Sequence, residues 1–77
     1  MLDVAVLTLQ KILFEGKAKS VILPGEKGEF EVLPYHKPLI SRLVTGTLFI
    51  DGQPIFIRRG VVRVLQNKLM AVVEEQL

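Results

Sequence analysis

The sequence predicts an all-β protein, either a sandwich or a barrel. Three observations carry that expectation. Short runs rich in apolar and β-branched residues alternate with turn signals at near-regular spacing, without the helical segments that would separate parallel strands. Glu29-Phe30-Glu31-Val32 alternates polar and apolar strictly, which is the period of a half-buried strand. Asp51-Gly52 separates Leu48-Phe49-Ile50 from Ile55-Phe56-Ile57, and both turn residues tolerate the positive φ that tight hairpins require. A helical period is confined to Leu39 to Val44, a window too short to stand alone.

In chain order, the first strand is expected over Leu2 to Leu9, with Leu2, Val4 and Val6 on one face and Asp3, Ala5 and Leu7 on the other. Gln10 to Gly16 reads as a turn through Phe14-Glu15-Gly16. In the next strand, Lys17 to Leu23, Val21 and Leu23 are placed in the core. Glu29 to Val32 sends Phe30 and Val32 inward and both glutamates to water. Leu39 to Leu43 follows, Thr45-Gly46 breaks it, and Thr47 to Ile50 restarts. Pro54 has no N–H for a ladder, so the strand returning from Asp51-Gly52 is expected to begin at an edge. Gly60 reads as a further break, Val61 to Leu65 as a strand, Gln66-Asn67-Lys68 as a turn, and Leu69 to Val73 as the closing strand. Val61-Val62, Leu69-Met70 and Val72-Val73 put apolar groups on both faces of these last strands. Either both faces pack within the domain, or the outer face binds another subunit.

The chain has 77 residues, one small domain over residues 1–77, and folding at this size buries only about 60–65% of the surface that the unfolded chain exposes. There is no cysteine, hence no disulfide framework and no thiolate metal cluster, so apolar packing must hold the fold. A mean hydropathy of +0.40 is high for so small a domain, and part of the apolar surface is expected to meet a partner. Met1-Leu2-Asp3 offers no basic start, and the apolar run Val4 to Leu7 ends at Thr8, so no secretory signal is read. Charged residues, Gly or Pro interrupt every apolar stretch well before the roughly 20 residues of a membrane helix. A soluble chain in the reducing cytoplasm is expected. The net charge of +2, with basic residues scattered from Lys11 to Lys68, neither demands nor excludes a polyanionic partner.

Pro24 to Ser41 holds three of the four prolines and the only histidine, between two apolar runs. Proline fixes its own φ and pushes the preceding residue toward extended geometry, while glycine opens backbone angles closed to other residues. Gly25, Pro34 and Pro38 are therefore read as shaping the loop, and His36 as a shape element bonded to nearby backbone rather than a base or a ligand. A zinc site needs about three or four protein ligands, which one histidine and no cysteine do not supply. Ser20 and Ser41 sit in strand-like context without a nucleophile elbow. Gly25-Glu26-Lys27-Gly28 superficially resembles a phosphate loop, but the lysine is followed by Gly28-Glu29 rather than standing in Gly-Lys-Ser/Thr spacing, and a strand rather than a helix follows. Arg58-Arg59 reads as a solvated strand end, because Phe14, Phe30, Tyr35, Phe49 and Phe56 are spread too thinly for a stacking platform and the phenylalanines mostly occupy core-like positions. No catalytic residue, cofactor or metal is expected.

The pattern Gly25-x-x-Gly28-x-Phe30-x-Val32-Leu33-Pro34-x-His36-x-Pro38-Leu39-Ile40-Ser41 resembles the N-terminal β-sandwich domain of the epsilon subunit of F-type ATP synthases. Leu13-Phe14-Glu15-Gly16 upstream, and Leu43-x-x-Gly46, Arg59-Gly60-Val61-Val62 and the final strand around Asn67 downstream, extend the likeness over almost the whole chain. The resemblance implies a two-sheet antiparallel β-sandwich of about ten short strands. It also implies a place at the foot of a rotating central stalk, gripping the gamma subunit and resting on the ring of membrane-embedded c subunits. On the matching positions, Glu26, Lys27, Gly28 and Glu29 are expected to touch the c ring, and Thr8, His36 and Ser41 to face gamma. Tyr35 departs from the small residue usual before the histidine.

Family members often continue into a two-helix C-terminal hairpin that binds ATP or blocks rotation, whereas this sequence stops at Glu74-Glu75-Gln76-Leu77. By resemblance, it is expected to be a short-form epsilon subunit without a C-terminal helical domain. Such a subunit lies at the cytoplasmic face of the cell membrane, peripheral through the complex and not inserted, and couples proton or sodium passage to ATP synthesis without being an enzyme itself. Nucleic acid is not an expected partner. The competing expectation is a small β-barrel adaptor that binds nucleic acid or peptide, with salt-sensitive polyanion binding as its mark.

Overall fold

Eight strands carry the chain in a computed structural model whose description covers residues 1–76, Leu77 lying outside the described residues. They are β1 (Leu2–Leu7), β2 (Ile12–Ala18), β3 (Val21–Gly25), β4 (Gly28–Val32), β5 (Leu39–Leu43), β6 (Gly46–Ile50), β7 (Gln53–Leu65) and β8 (Lys68–Glu75). The all-β expectation holds, and there is no helix among the described residues. Strand order is β2-β1-β8-β7-β5-β3-β4, with β6 joining β3 to β7. Pairing is antiparallel except between β1 and β8, which run parallel from Asp3↔Lys68 to Leu7↔Val72.

There are eight strands rather than about ten, and two of the breaks expected from the sequence are strand. Gly60 does not interrupt β7. It pairs with Leu43 on one side and Val73 on the other, and a side chain there would lie 2.6 Å from the Val72 carbonyl oxygen. This glycine permits close backbone approach rather than a turn. Before it, β7 pairs with β6 through Gly46↔Ile57, and after it with β5 through Leu43↔Gly60, while the register against β8 shifts between Ile57 and Arg59. One long strand therefore passes from one layer of the sandwich to the other, bent by a bulge, as strands at sheet corners do.

The expected turn at Phe14-Glu15-Gly16 is the second correction. β2 runs through it, with Val6↔Phe14, Ala5↔Glu15 and Val4↔Gly16 paired, and the reversal lies earlier, over Thr8 to Lys11. Thr8 closes that turn. Its Oγ1 accepts the Gln10 and Lys11 N–H groups at 3.1 and 3.0 Å, and its own N–H donates to the Lys11 carbonyl at 2.8 Å. A hydroxyl that satisfies two loop N–H groups stabilises the turn locally, whereas Glu15 and Gly16 have strand partners and no need of one.

Both hairpin signals hold. Asp51 and Gly52 have φ of 47° and 83°, and Gln66 and Asn67 have 51° and 61°, the left-handed pair that matches the twist of flanking strands. Pro54 pairs with Phe49 in the part of β7 that β8 does not reach, so it stands at an edge. Inward-facing residues of every strand meet in one core: Leu2, Val4 and Val6 from β1, Ala18, Val21, Leu23, Val32, Leu43, Leu48 and Ile50 from the middle strands, and Ile57, Val62, Val64, Leu69, Ala71 and Val73 from β7 and β8. Phe14 and Phe30 pack against that core, but Phe56 is 60% exposed, contrary to a core placement. Along β7 the Phe56 side chain alternates with those of Ile55 and Ile57, which face the core, so it points outward.

Candidate functional site

The expected c-ring segment is the tip of the β3–β4 hairpin. Gly25↔Gly28 closes the ladder and Glu26-Lys27 forms the two-residue turn, with Glu26, Lys27, Gly28 and Glu29 all exposed. Gly28 holds φ of 116°, a conformation that side chains resist. Gly25 is excluded from carrying a side chain for a different reason, since a Cβ there would lie 2.8 Å from the Phe30 ring. The ring thus packs on bare backbone, and the charged tip projects from a stiff base. An open cleft of about 330 Å³ lies beside it, lined by Gly25 to Phe30 together with Leu39 and Ser41.

The proline corner lies elsewhere. His36 N–H donates to the Leu33 carbonyl at 3.2 Å across Pro34-Tyr35, with Tyr35 at φ 64°. Proline second and a left-handed residue third is the type II turn pattern, so Pro34 shapes this corner as expected. Pro38 closes the connection just before β5. The His36 ring is bonded through Nδ1 at 2.7 Å from the Lys37 carbonyl, which is a local backbone partner and not a catalytic one. Tyr35 is 81% exposed. Its N–H donates to Asn67 Oδ1 at 2.8 Å, and Asn67 Nδ2 donates to the Met1 carbonyl at 2.8 Å.

These bonds place the three expected gamma-facing positions. His36 lies beside the start of β1 and Thr8 just past its end, about 20 Å apart at strand rise. Ser41 stands on β5 opposite Val62 and belongs with the β3–β4 cleft. Thr8, His36 and Ser41 therefore do not form one compact patch.

Between the ends of β1 lies a surface that the sequence disclosed only in part. Antiparallel and parallel register align Ile12, Leu7, Val72 and Val61 across four strands, and Ala5, Met70, Arg63 and Ile40 across the next row. Ile12, Val61, Met70, Val72 and Ile40 are exposed, Ile40 by 74%. Of the alternatives left open by the apolar doublets, packing of both faces within the domain does not hold: Val62, Leu69, Ala71 and Val73 are core, and Val61, Met70 and Val72 face outward. Leu9, expected inside the first strand, is instead 91% exposed at the β1–β2 turn. Apolar residues that sit outward on a regular sheet give no local sign of it, which is why Ile40 was missed. Arg42 and Arg63 lie on the same face. Arg58 and Arg59 are exposed but sit in the middle of β7 rather than at the expected strand end, and Arg59 Nε donates to Glu74 Oε2 at 2.7 Å.

Among the described residues, no group of three or more His, Asp or Glu side chains is placed to hold a metal, and no buried side-chain polar atom lacks a hydrogen-bond partner. No helix is long and apolar enough to cross a membrane. The most exposed features among the described residues are a charged hairpin tip and an apolar sheet face.

Residues 1–76 match the family model described as the beta-sandwich domain of the ATP synthase Delta/Epsilon chain. The ATP synthase epsilon chain of Bordetella avium is 44% identical over 68 residues, covering 82% of this chain and 48% of that relative. The ATP synthase epsilon chain of a Nitratiruptor species is 42% identical over 78 residues, covering 95% and 60%. The chain thus spans about half to three fifths of the length of these curated relatives. Among solved structures, a chain from the central stalk and c-ring of the Tetrahymena thermophila mitochondrial ATP synthase superposes with TM-score 0.82 at 15% identity, covering 96% of this chain and 63% of that one. A chain of the Euglena gracilis mitochondrial ATP synthase reaches 0.89 at 14% identity, covering 99% and 52%. At those identities the structural matches speak for the fold.

Proposed function

The chain belongs to the family of ATP synthase delta/epsilon-chain β-sandwich domains, and from that premise we propose that it is a non-catalytic part of the central stalk that links the gamma subunit to the c ring. Its work is mechanical. A sandwich with one continuous core and a long strand shared between layers is stiff, and stiffness lets a connector pass torque without absorbing it. Proton or sodium passage through the ring is thereby coupled to ATP synthesis in the catalytic head, with the chain held at the cytoplasmic face of the membrane through its partners.

One observation carries this reading: the family match over residues 1–76 coincides with an exposed charged tip and a separate exposed apolar face on one domain. The exposed tip at Glu26, Lys27, Gly28 and Glu29 suits the polar loops of a ring, where charge sets register more than affinity. The apolar face of Val61, Met70, Val72 and Ile40, flanked by Thr8 at one end and His36 at the other, suits gamma, because apolar burial supplies affinity. A gamma surface that runs the length of β1 reaches both Thr8 and His36, while Ser41, expected to face gamma as well, lines the cleft beside the β3–β4 hairpin and would need a separate contact.

Co-expression with gamma and c subunits followed by size-exclusion chromatography tests this reading. Co-elution with both partners is expected, and it should persist in moderate salt. A chain that elutes alone but binds polyanions in a salt-sensitive way would instead establish the adaptor alternative.

A further inference from the structure

The β7–β8 turn does more than reverse the chain. Gln66 and Asn67 both hold left-handed backbone, a conformation that asparagine visits at lower cost than most residues. In this geometry Asn67 joins segments remote in sequence: Oδ1 accepts the Tyr35 N–H at 2.8 Å, Nδ2 donates to the Met1 carbonyl at 2.8 Å, and the main-chain oxygen accepts the Asp3 N–H at 3.1 Å. The Leu33–His36 turn has little else to hold it. Leu33 and Tyr35 are 50% and 81% exposed, and the local closure is a single bond at 3.2 Å. Pro34 and His36 are half-buried and no residue of the corner is fully buried, so its hydrogen bonds carry much of its position.

We propose that Asn67 is a positioning residue: its carboxamide clasps the proline corner to the β7–β8 turn and so presents Tyr35 and His36 to the gamma partner in a preformed shape. The link to gamma rests on the function proposed above. The physical gain is pre-organisation, since a corner ordered before docking loses less freedom on binding. Only asparagine combines the three requirements met here, a tolerated left-handed backbone, an acceptor for Tyr35 and a donor for Met1. Glycine keeps the first alone, and aspartate keeps the first two.

Amide hydrogen exchange on the isotopically labelled full chain, thermal unfolding, and affinity for the gamma subunit test this with Asn67→Gly and Asn67→Asp. In Asn67→Gly the Tyr35 amide is expected to lose roughly tenfold protection, with gamma affinity falling several-fold and the core amides unchanged. Asn67→Asp should restore both Tyr35 protection and affinity, which a residue needed only for stability would not do. Unchanged Tyr35 exchange in Asn67→Gly would overturn the clasp. Lost protection with undiminished gamma affinity would uphold the clasp and overturn the corner's place in the gamma contact.

Discussion

Single residues here act through reach of an ångström or two. Gly60 is the sharpest case, because the backbone of β8 lies where its side chain would be, with the Val72 oxygen at 2.6 Å and the Val73 Cα at 3.1 Å from a built Cβ. Replacing glycine by alanine stiffens the unfolded chain, which favours folding by about 0.4–1 kcal/mol, but crowding of a packed interior costs about 1–3 kcal/mol. The clash wins, since main-chain atoms on a paired strand cannot rotate away. Gly60→Ala is expected to lower stability by roughly 2 kcal/mol, read as a reduced urea midpoint without a change in slope. Asp51 works by hydrogen bonding instead. Its Oδ1 accepts the Lys19 and Ser20 N–H groups at 2.9 and 3.0 Å, so the β6–β7 hairpin tip pins the link between β2 and β3. Asp51→Ala loses that acceptor and sits badly at φ 47°, for a loss of about 2 kcal/mol. Asp51→Asn keeps an acceptor and tolerates the backbone, so chemical denaturation should show less than about half that loss.

At the scale of elements, the β3–β4 hairpin separates what holds the fold from the tip proposed to meet the ring. Its base is fixed by the Val21↔Val32 and Leu23↔Phe30 pairs, which bury Val21, Leu23 and Val32, while the charges at its tip touch nothing that holds the fold. Reversing the charge in Glu29→Lys should leave thermal unfolding within about 0.5 kcal/mol of the parent, as surface substitutions do. The same change is expected to weaken assembly on the c ring and lower ATP-driven proton pumping in the reconstituted enzyme. Undiminished pumping would remove Glu29 from the contact. The turn between β1 and β2 shows a limit of reading elements locally. Phe14-Glu15-Gly16 has turn-like composition, but the loop belongs to Thr8, whose hydroxyl satisfies two N–H groups. A single threonine is a weak signal in sequence, and its effect appears only once the strand after it is paired.

For the whole molecule, the terminal strands are tied across the outer face. β1 meets β8 in parallel and β2 in antiparallel pairing, and Lys17 Nζ donates to Asp3 Oδ1 at 2.7 Å. The Lys17 hydrogen bond, and then its charge, hold the Asp3 carboxyl below the usual carboxylate range, and the same bond raises Lys17 above the usual lysine value. A depressed carboxylate contributes stability above its unfolded value and loses it as pH falls through the folded one. A raised lysine contributes below its unfolded value and loses it as pH rises through the folded one. The pair therefore supports the fold at neutral pH and fails at both extremes. Both groups are exposed, so the effect is small and screened. Asp3→Asn should flatten the decline in stability as pH falls below the ordinary aspartate range of about 4, and added salt should narrow its difference from the parent. Coincident acid curves at low salt would count against the pair.

Strands and hairpins whose signals are local can be read directly from the chain. Strict alternation at Glu29 to Val32, the Asp51-Gly52 turn and the inward set Leu2, Val4 and Val6 follow from side-chain period and backbone preference within a few residues, and the structure has all of them. The tip residues were legible for the same reason, being a turn between two clear strands. Only the tertiary structure decided that Gly60 continues a strand, that β1 lies parallel to β8, that Val61, Met70 and Val72 face outward, and that Thr8 and His36 stand at opposite ends of one strand. Each of these depends on which distant segment supplies the hydrogen-bonding neighbour. Period and propensity describe a strand's own two faces, but they do not say what lies against either one.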